Sequence, residues 1–161
     1  MSDPVLDELV ALGLDHEVVE CDPALADTAE FCAAYGFSER ESANAIVVIG
    51  KSNPPQHALC LVLAGTRLDV NRTVRKRFGV RKASFASAEE TIELTGMEIG
   101  GVTPFGTVTP LPLWVDPQVL GCERVILGGG GRDRKLLVPP ATVLGHPRVD
   151  VVDGLASPLD G

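Results

Sequence analysis

Residues 95–106 read Thr95-Gly96-Met97-Glu98-Ile99-Gly100-Gly101-Val102-Thr103-Pro104-Phe105-Gly106, and they form the most informative stretch of the chain. The stretch holds four glycines and one proline with almost no charge, a pattern too irregular for a helix or a strand. Glycine lacks the Cβ that keeps a ligand away from the backbone, and proline fixes its own φ angle. The pattern predicts a loop whose backbone amides can face a bound carbonyl or phosphate. A plain surface turn is the alternative interpretation.

The sequence around this glycine loop (residues 95–106) predicts a mixed α/β protein. Two almost continuous apolar runs, Ala43 to Ile49 and Ala58 to Ala64, have the length and composition of central strands. A capping-box spacing at Ser87 to Glu90 predicts a helix that ends near Gly96 and leads into the loop. We expect one compact domain over residues 1–161, with a mixed central β-sheet flanked by helices and a loosely ordered tail from about Asp153.

Shorter patterns predict the remaining elements. Four further helices are predicted, from Ser2 and Pro4 to Gly13, from Asp27 to Gly36, from Asp69 to Gly79, and a short one from Pro140. The further predicted strands are His16 to Glu20, Leu113 to Val115, Arg124 to Leu127, Leu136 to Val138 and Val149 to Val152.

Composition argues against several classes of protein. No apolar run approaches the roughly 20 residues needed to span a bilayer, and the N-terminus is acidic where a signal peptide would be basic. We therefore expect a cytoplasmic protein without a membrane partner. The four cysteines and three histidines are widely spaced, with no C-x-x-C pair. The sequence accordingly predicts no metal site, no disulfide framework and no organic cofactor.

Charge is distributed unevenly along the chain. The net charge is −8, yet 7 of the 14 basic residues lie between Arg67 and Lys82, against one acidic residue, Asp69. This basic segment (residues 67–82) would create a local positive field within an acidic protein, which suits binding to one nucleic-acid feature. A solvated helix face that only keeps the protein soluble is the alternative.

Gly100 to Pro104 resembles the Gly-Gly-(Val/Ile)-(Ser/Thr)-Pro loop of the YbaK/ProX-type aminoacyl-tRNA deacylases. These are free-standing editing domains related to the insertion domain of bacterial prolyl-tRNA synthetase. Other matching segments keep the family's order over roughly residues 16–145: Thr28, His57 to Leu63, Leu68 to Val70, Leu111-Pro112, Trp114 to Asp116 and Val125 to Gly130. The resemblance implies the family's compact α/β fold and hydrolysis of the ester on mischarged tRNA.

The predicted chemistry depends on the backbone. We find no convincing Ser-His-Asp spacing, so the amides of Gly100, Gly101 and Val102 are the candidates for stabilising the anion that forms when water attacks an ester. In related enzymes the attacking water is thought to be organised by the substrate's terminal ribose hydroxyl, and the resemblance implies the same here. His57 is a candidate base or substrate contact, although it can equally be a packing residue.

Asn44 departs from the family pattern. The resemblance places it where active deacylases usually carry a lysine that holds the substrate, so Asn44 is included among the catalytic candidates. A neutral amide makes a weaker hydrogen bond than an ammonium, and the exchange would weaken substrate holding by about tenfold. Lys51 could substitute only if its Pro-rich turn folded inward.

Further residues are assigned to substrate and tRNA. Phe31 and Ile46 would set the size of the pocket if they face it. The remaining substrate-binding candidates are Thr103, Pro104, Gly128 and Gly129, and the tRNA-binding candidates are Arg72, Arg75, Lys76 and Arg77.

Three functions compete at this point. The first is a trans-acting deacylase whose partner is the aminoacylated end of tRNA, with no binding to DNA. The second is a non-catalytic module that binds aminoacyl-tRNA or a synthetase, an alternative motivated by Asn44. The third is a hydrolase of small aminoacyl or acyl esters, which suits the acidic net charge.

Overall fold

The computed structural model describes residues 3–159. Its helices are α1 (Pro4–Ala11), α2 (Thr28–Tyr35), α3 (Arg75–Phe78), α4 (Ala88–Thr95) and α5 (Pro140–Leu144). Its strands are β1 (Glu17–Glu20), β2 (Ala43–Gly50), β3 (Gln56–Leu63), β4 (Thr66–Leu68), β5 (Ala83–Phe85), β6 (Leu113–Val115), β7 (Val125–Gly128), β8 (Arg134–Val138), β9 (Val149–Val151) and β10 (Ala156–Pro158). One π-helical turn, Val70–Val74, leads directly into α3.

The strands form a five-stranded mixed sheet and two smaller sheets. In the large sheet the order is β5-β2-β3-β6-β9, with β2 antiparallel to β3 and with β3, β6 and β9 parallel to one another. The order in the second sheet is β1-β8-β7, and β10 pairs with β4 in the third. A parallel bridge between Ser42 and Ile126 brings β7 beside the start of β2. The mixed α/β fold class predicted from the sequence is therefore confirmed.

Apolar side chains cover both faces of the large sheet, as the two apolar runs predict. On one face Val47, Leu59 and Leu61 pack against Leu9 of α1 and against Phe105 of the glycine loop. On the other face, side chains of β2, β3 and β6 pack against Val70, Val74 and Phe78 of the basic segment. Successive residues of a strand point to opposite faces, so β2 serves both clusters and holds the two halves of the core together.

Local sequence signals account for most helix ends. The Ser87 hydroxyl accepts a hydrogen bond from the Glu90 amide at 3.0 Å, and the Glu90 carboxylate accepts one from the Ser87 amide, also at 3.0 Å, as the capping box predicts. Gly36, Gly79 and Gly96 end their helices in the left-handed conformation.

Three predictions about elements need correction. The cap of α1 is Asp3, whose carboxylate accepts from the Leu6 amide at 3.3 Å, while Ser2 lies outside the described residues. The short strands β4, β5 and β10 have no counterpart among the predicted elements. The tail is not loose from Asp153, because Leu155 is fully buried and Ala156–Pro158 pairs with β4. Within residues 3–159, none of the helices has the length and apolar character needed to cross a bilayer.

Candidate active site

A cavity of about 320 Å³ lies beside an open edge of β2. On one side of the opening Ser42 bridges to Ile126, and on the other the Ala86 amide donates to the Val47 carbonyl at 2.9 Å. Within residues 3–159, no strand pairs with this edge of β2 around Ala45, since the register with β5 begins only at Val48. The lining residues are Thr28, Ser42–Val47, Ala86, Thr91, Ile99, Gly100, Val102, Ile126–Gly128 and Lys135.

Two cations hold the part of the glycine loop that lines this cavity. The Arg132 guanidinium donates to the Ile99 carbonyl at 3.3 Å and also reaches Asp27 at the start of α2 at 3.4 Å. The Lys135 ammonium donates to the Gly100 carbonyl at 3.1 Å. Because the C=O and N–H of a trans peptide point in opposite directions, fixing these carbonyls also fixes the direction of the next amides. The loop is thus ordered before any ligand binds.

Both backbone groups of Gly101 form hydrogen bonds within the protein, which the sequence analysis did not predict. Its amide donates to the Glu98 carbonyl at 2.9 Å, and its carbonyl accepts from the Gly130 amide at 2.6 Å. A Cβ at Gly101 would lie 2.6 Å from the carbonyl carbon of Gly131, so only glycine fits. The prediction that the Gly101 amide faces the reacting ester is wrong for this conformation, because that amide is already used within the loop.

The amides on either side of Gly101 remain available. Gly100 and Val102 both line the cavity, and neither of their N–H groups donates to an acceptor within residues 3–159. Gly100 has a φ of +93°, which a residue with a side chain rarely adopts. Gly128 also lines the cavity and lies against the loop, where a Cβ would come within 2.3 Å of the Val102 carbonyl. Gly100, Val102 and Gly128 therefore lie together among the candidate residues that line the cavity.

Lys135 is the site residue that the sequence analysis missed. It lies on β8 directly opposite Gly128 of β7, lines the cavity and is 8% exposed. Its ammonium also lies 5.9 Å from the centre of the Phe31 ring. Burial lowers the pKa of the Lys135 ammonium. The signal available in the sequence was a lysine placed directly ahead of the apolar run Leu136 to Val138.

Asn44 and Ile46 both line the cavity, as the sequence predicts. Asn44 is exposed at the rim, whereas Ile46 is partly buried against the cluster that contains the basic segment. Lys51 is exposed in the turn after β2 and does not line the cavity, so it does not replace the lysine that the family pattern places at Asn44.

Five predicted substrate contacts lie outside the lining. Phe31 is buried behind the cavity and stacks on Tyr35 and Phe37, so it supports the wall without facing the space. Thr103 is fully buried. The Pro104 carbonyl is bonded to the His146 ring at 3.0 Å. The other two are Gly129, whose carbonyl accepts from Arg134 at 2.8 Å, and His57, which pairs with Ile49 at the far end of β2.

The predicted tRNA-binding residues separate into two pairs. Arg72, Lys76 and Arg77 are exposed, whereas Arg75 is half-buried, and only the side chains of Arg75 and Arg77 make hydrogen bonds or ion pairs within the described residues. Arg75 instead donates to the Asn71 carbonyl at 2.9 Å within its own helical segment. The Arg77 guanidinium forms an ion pair with Asp150 at 2.8 Å and lies 5.4 Å from the centre of the Trp114 ring. The first pair is free to meet a polyanion, while the second pair is engaged by the protein.

The chemistry of the cavity is set by backbone amides and one cation. Within the described part of the chain, its lining contains no aspartate, glutamate, histidine or cysteine. The buried thiol nearest the middle of the sheet, Cys60, has a pKa raised to about 12 by burial, so it is no nucleophile at neutral pH. Such a site can bind and polarise a carbonyl group.

Comparison with known proteins agrees with this geometry. A model of the aminoacyl-tRNA editing domain matches residues 22–144. The multifunctional Ser/Thr-tRNA deacylase ProXp-y of Escherichia coli (strain K12) is 28% identical over 120 residues, covering 73% of this chain and 71% of the relative. The uncharacterized protein YwhH of Bacillus subtilis (strain 168) is 27% identical over 126 residues, covering 78% of each.

A solved structure of a candidate editing protein has the same fold as this chain. A crystal structure described as a candidate trans-editing enzyme for prolyl tRNA synthetase superposes with a TM-score of 0.81 and 30% identity, covering 93% of both chains. The editing-domain match alone spans well over half of the present chain. The chain therefore belongs to the YbaK-type family of aminoacyl-tRNA editing domains, as predicted from the glycine loop and from the other segments that follow the family's order.

Proposed function

We propose that this protein is a trans-editing hydrolase that removes wrongly attached amino acids from tRNA. One observation carries the proposal: Gly100 and Val102, whose amides donate to no acceptor within residues 3–159, both line a cavity whose described lining has no acidic or histidine side chain. An ester carbonyl placed against these amides would be polarised without any side-chain nucleophile. That is the chemistry that water attack on an aminoacyl ester requires.

The reaction is a direct hydrolysis. The water oxygen adds to the ester carbon, and the negative charge that develops on the carbonyl oxygen is stabilised by the two amides. The bond to the ribose oxygen then breaks, which releases the free amino acid and leaves the hydroxyl of the tRNA end. The resemblance to the editing family implies that the adjacent ribose hydroxyl of the substrate and the loop backbone orient the water. One such amide donor is worth about 2.7–4 kcal/mol in other enzymes.

Selectivity follows from the size of the cavity. At about 320 Å³ it has room for a small side chain beside the ester, and Ile46 and Ile126 form part of its apolar lining. A pocket of this kind admits small wrong amino acids and excludes bulky correct ones. The name of ProXp-y records activity on Ser- and Thr-tRNA, and we propose substrates of similar size for this protein.

Deacylation of a panel of mischarged tRNAs tests the proposal. The parent protein should release at least one small amino acid faster than buffer does. Gly101→Ala should abolish most of this activity, because a Cβ there would lie within 2.8 Å of three backbone atoms of Gly131 and would displace the loop. Gly65→Ala is the matched control, since a Cβ at Gly65 meets nothing within 4 Å. No turnover of any tRNA in the panel would defeat the proposal.

A non-catalytic module that binds aminoacyl-tRNA or a synthetase remains the alternative function. The observation that favours it is Asn44, a neutral side chain exposed at the rim of the cavity. Asn44→Lys separates the two functions. Deacylation that appears only in this variant, from an inert parent, supports the binding module, whereas activity in the parent that is lost in Gly101→Ala supports the hydrolase.

A further inference from the structure

Lys135 is the one charged side chain among the cavity-lining residues of the described chain. It is 8% exposed, and none of the ion pairs within residues 3–159 includes it. Buried cations are normally paired with a carboxylate, because removing a charge from water is costly. A buried lysine without a counter-ion at the wall of a cavity therefore needs an explanation.

The contacts of Lys135 leave part of its hydrogen-bonding capacity unused. An ammonium group carries three N–H donors. One donates to the Gly100 carbonyl at 3.1 Å, and the Phe31 ring, 5.9 Å away, offers only its face. Since Lys135 itself lines the cavity, an acceptor bound there lies within reach of the remaining donors.

We propose that Lys135 contacts the substrate, donating a hydrogen bond to the carbonyl oxygen of the aminoacyl ester. It thereby supplies from β8 the positive charge that Asn44 does not supply from β2. This inference rests on the proposed function, because it names the residue that holds the substrate in the same cavity.

The position of Lys135 beside Gly100 favours the ester carbonyl as its acceptor. Lys135 bonds to the Gly100 carbonyl, and the Gly100 amide is one of the two proposed donors to the developing anion. An oxygen bound by that amide therefore lies beside the same residue that the ammonium contacts. The α-amino group of the substrate is itself largely cationic near neutral pH, and like charges repel. Lys135 would turn that group away and so orient the ester.

A purely structural role is the competing interpretation. Lys135 could do no more than anchor the glycine loop through the Gly100 carbonyl. Loss of activity in Lys135→Met would then reflect a displaced loop, so activity alone does not separate the two roles. The signal from the Lys135 side chain of the parent protein, read together with the affinity of a folded Lys135→Met variant for substrate analogues, separates the two roles.

Binding of a small non-hydrolysable analogue provides that signal. The probes are 3′-aminoacylamido-3′-deoxyadenosines that carry alanine, serine or threonine, which keep the carbonyl and lack both the labile ester and the rest of the tRNA. The chain has four lysines, so selective ¹³Cε labelling gives a simple NMR spectrum. The Lys135 resonance should shift on binding, while the resonances of Lys51, Lys76 and Lys82 stay unchanged.

Substitution supplies the second measurement. Lys135→Met should weaken binding of the analogues by roughly 10- to 100-fold, the range for losing a hydrogen bond to a charged group. Lys51→Met is the matched control, because Lys51 is exposed outside the cavity and should bind as the parent does. Thermal unfolding of both variants checks that they are folded, and the parent NMR experiment stands if Lys135→Met is not.

The outcomes distinguish this inference from the proposed function. The inference is overturned if the Lys135 resonance does not shift when an analogue binds, or if folded Lys135→Met binds the analogues as tightly as the parent protein does. In either case, deacylation by the parent protein would still support the proposed function. A loss of affinity seen only with 5′-phosphorylated analogues assigns Lys135 to phosphate and also overturns it. Binding through Lys135 without turnover of any mischarged tRNA supports the inference and defeats the hydrolase. No binding of any analogue by the parent overturns the inference as well.

Discussion

His146 joins the end of the glycine loop to the segment after α5. It is 4% exposed, and its ring nitrogens contact the Pro104 carbonyl at 3.0 Å and the Arg148 amide at 3.1 Å. The amide is a donor and the carbonyl an acceptor, so the neutral ring with its proton on Nε2 satisfies both. Protonation of Nδ1 would break the contact with Arg148. Burial lowers the pKa of His146, with the nearby charge of Arg148 acting in the same direction and Glu8 against it.

We expect this histidine to make the fold sensitive to mild acid. Because the folded-state pKa lies below the ordinary 6.5, the unfolded chain takes up the proton first as the pH falls. The free energy of unfolding should therefore be full above pH 6.5, decline as the pH falls below it, and level off below the folded-state pKa. Urea unfolding between pH 7.5 and 5 measures this decline.

His146→Gln keeps a donor for the Pro104 carbonyl and cannot titrate, so its free energy of unfolding should change less over the same range. His16→Gln, at a partly exposed position, controls for the removal of a histidine. A parent protein whose stability is unchanged by acid down to pH 5, or a His146→Gln variant with the same decline, would contradict this assignment.

At the scale of residues, the sequence predicts which backbone positions matter better than which side chains meet. Glycine at position 100 follows from the need for an unusual φ, and that need is local. The pairing of the Gly101 amide with Glu98 and the arrival of Lys135 beside Gly100 depend instead on folding. Lys135 is 35 residues from its partner in the chain, so no spacing rule connects them. The position of Phe31 outside the cavity lining was also not predicted, because a large apolar residue suits the lining of a cavity and the core behind it equally well.

The sequence predicts all five helices but only two of the five three-residue strands, β6 and β9, within the described residues. The capping box of α4 and the glycines that end α2, α3 and α4 act within a few residues, so the sequence displays them. The strands β4, β5 and β10 have three residues each and exist only because a distant partner pairs with them. The open edge of β2, which creates the cavity, is likewise a property of the assembled sheet.

Helix α4 positions one wall of the cavity and delivers the chain into the glycine loop. Thr91 of this helix lines the cavity, and Gly96 ends it just before the loop. We expect Ser87→Ala to lower the free energy of unfolding by about 1 kcal/mol, because it removes the side-chain half of the capping box. Urea unfolding monitored by circular dichroism provides the measurement.

Glu90→Gln is the matched control for Ser87→Ala, since glutamine also returns the hydrogen bond to the cap residue. It should lower stability by clearly less than Ser87→Ala. Equal losses in the two variants would contradict this ranking and show that the charge of Glu90 contributes as much as the Ser87 hydroxyl.

Across the whole molecule, charge is segregated between an acidic body and one basic segment. The net charge is −8, yet the basic segment packs its apolar side on β2, β3 and β6 and exposes Arg72 and Lys76. Ile46, at the cavity, packs against the same cluster. Along β2 the side chains of Asn44 and Ile46 point to the same face of the sheet, and the basic segment covers that face. This arrangement suits a polyanion that approaches the cavity from one side while the rest of the surface repels it.

The double change Arg72→Ala and Lys76→Ala should weaken tRNA binding to a similar extent whichever amino acid is attached. Each lost phosphate contact reduces the slope of log K against log salt concentration by about 0.7–0.9, so the pair should reduce it by roughly 1.5. Hydrolysis at saturating tRNA should change little, because neither residue lines the cavity. Binding isotherms at several salt concentrations and single-turnover deacylation measure the two effects.

Arg124→Ala, outside the basic segment and beside Glu41, is the matched control. An unchanged salt slope in the double variant would show that tRNA does not bind through Arg72 and Lys76, and it would favour a hydrolase of small esters.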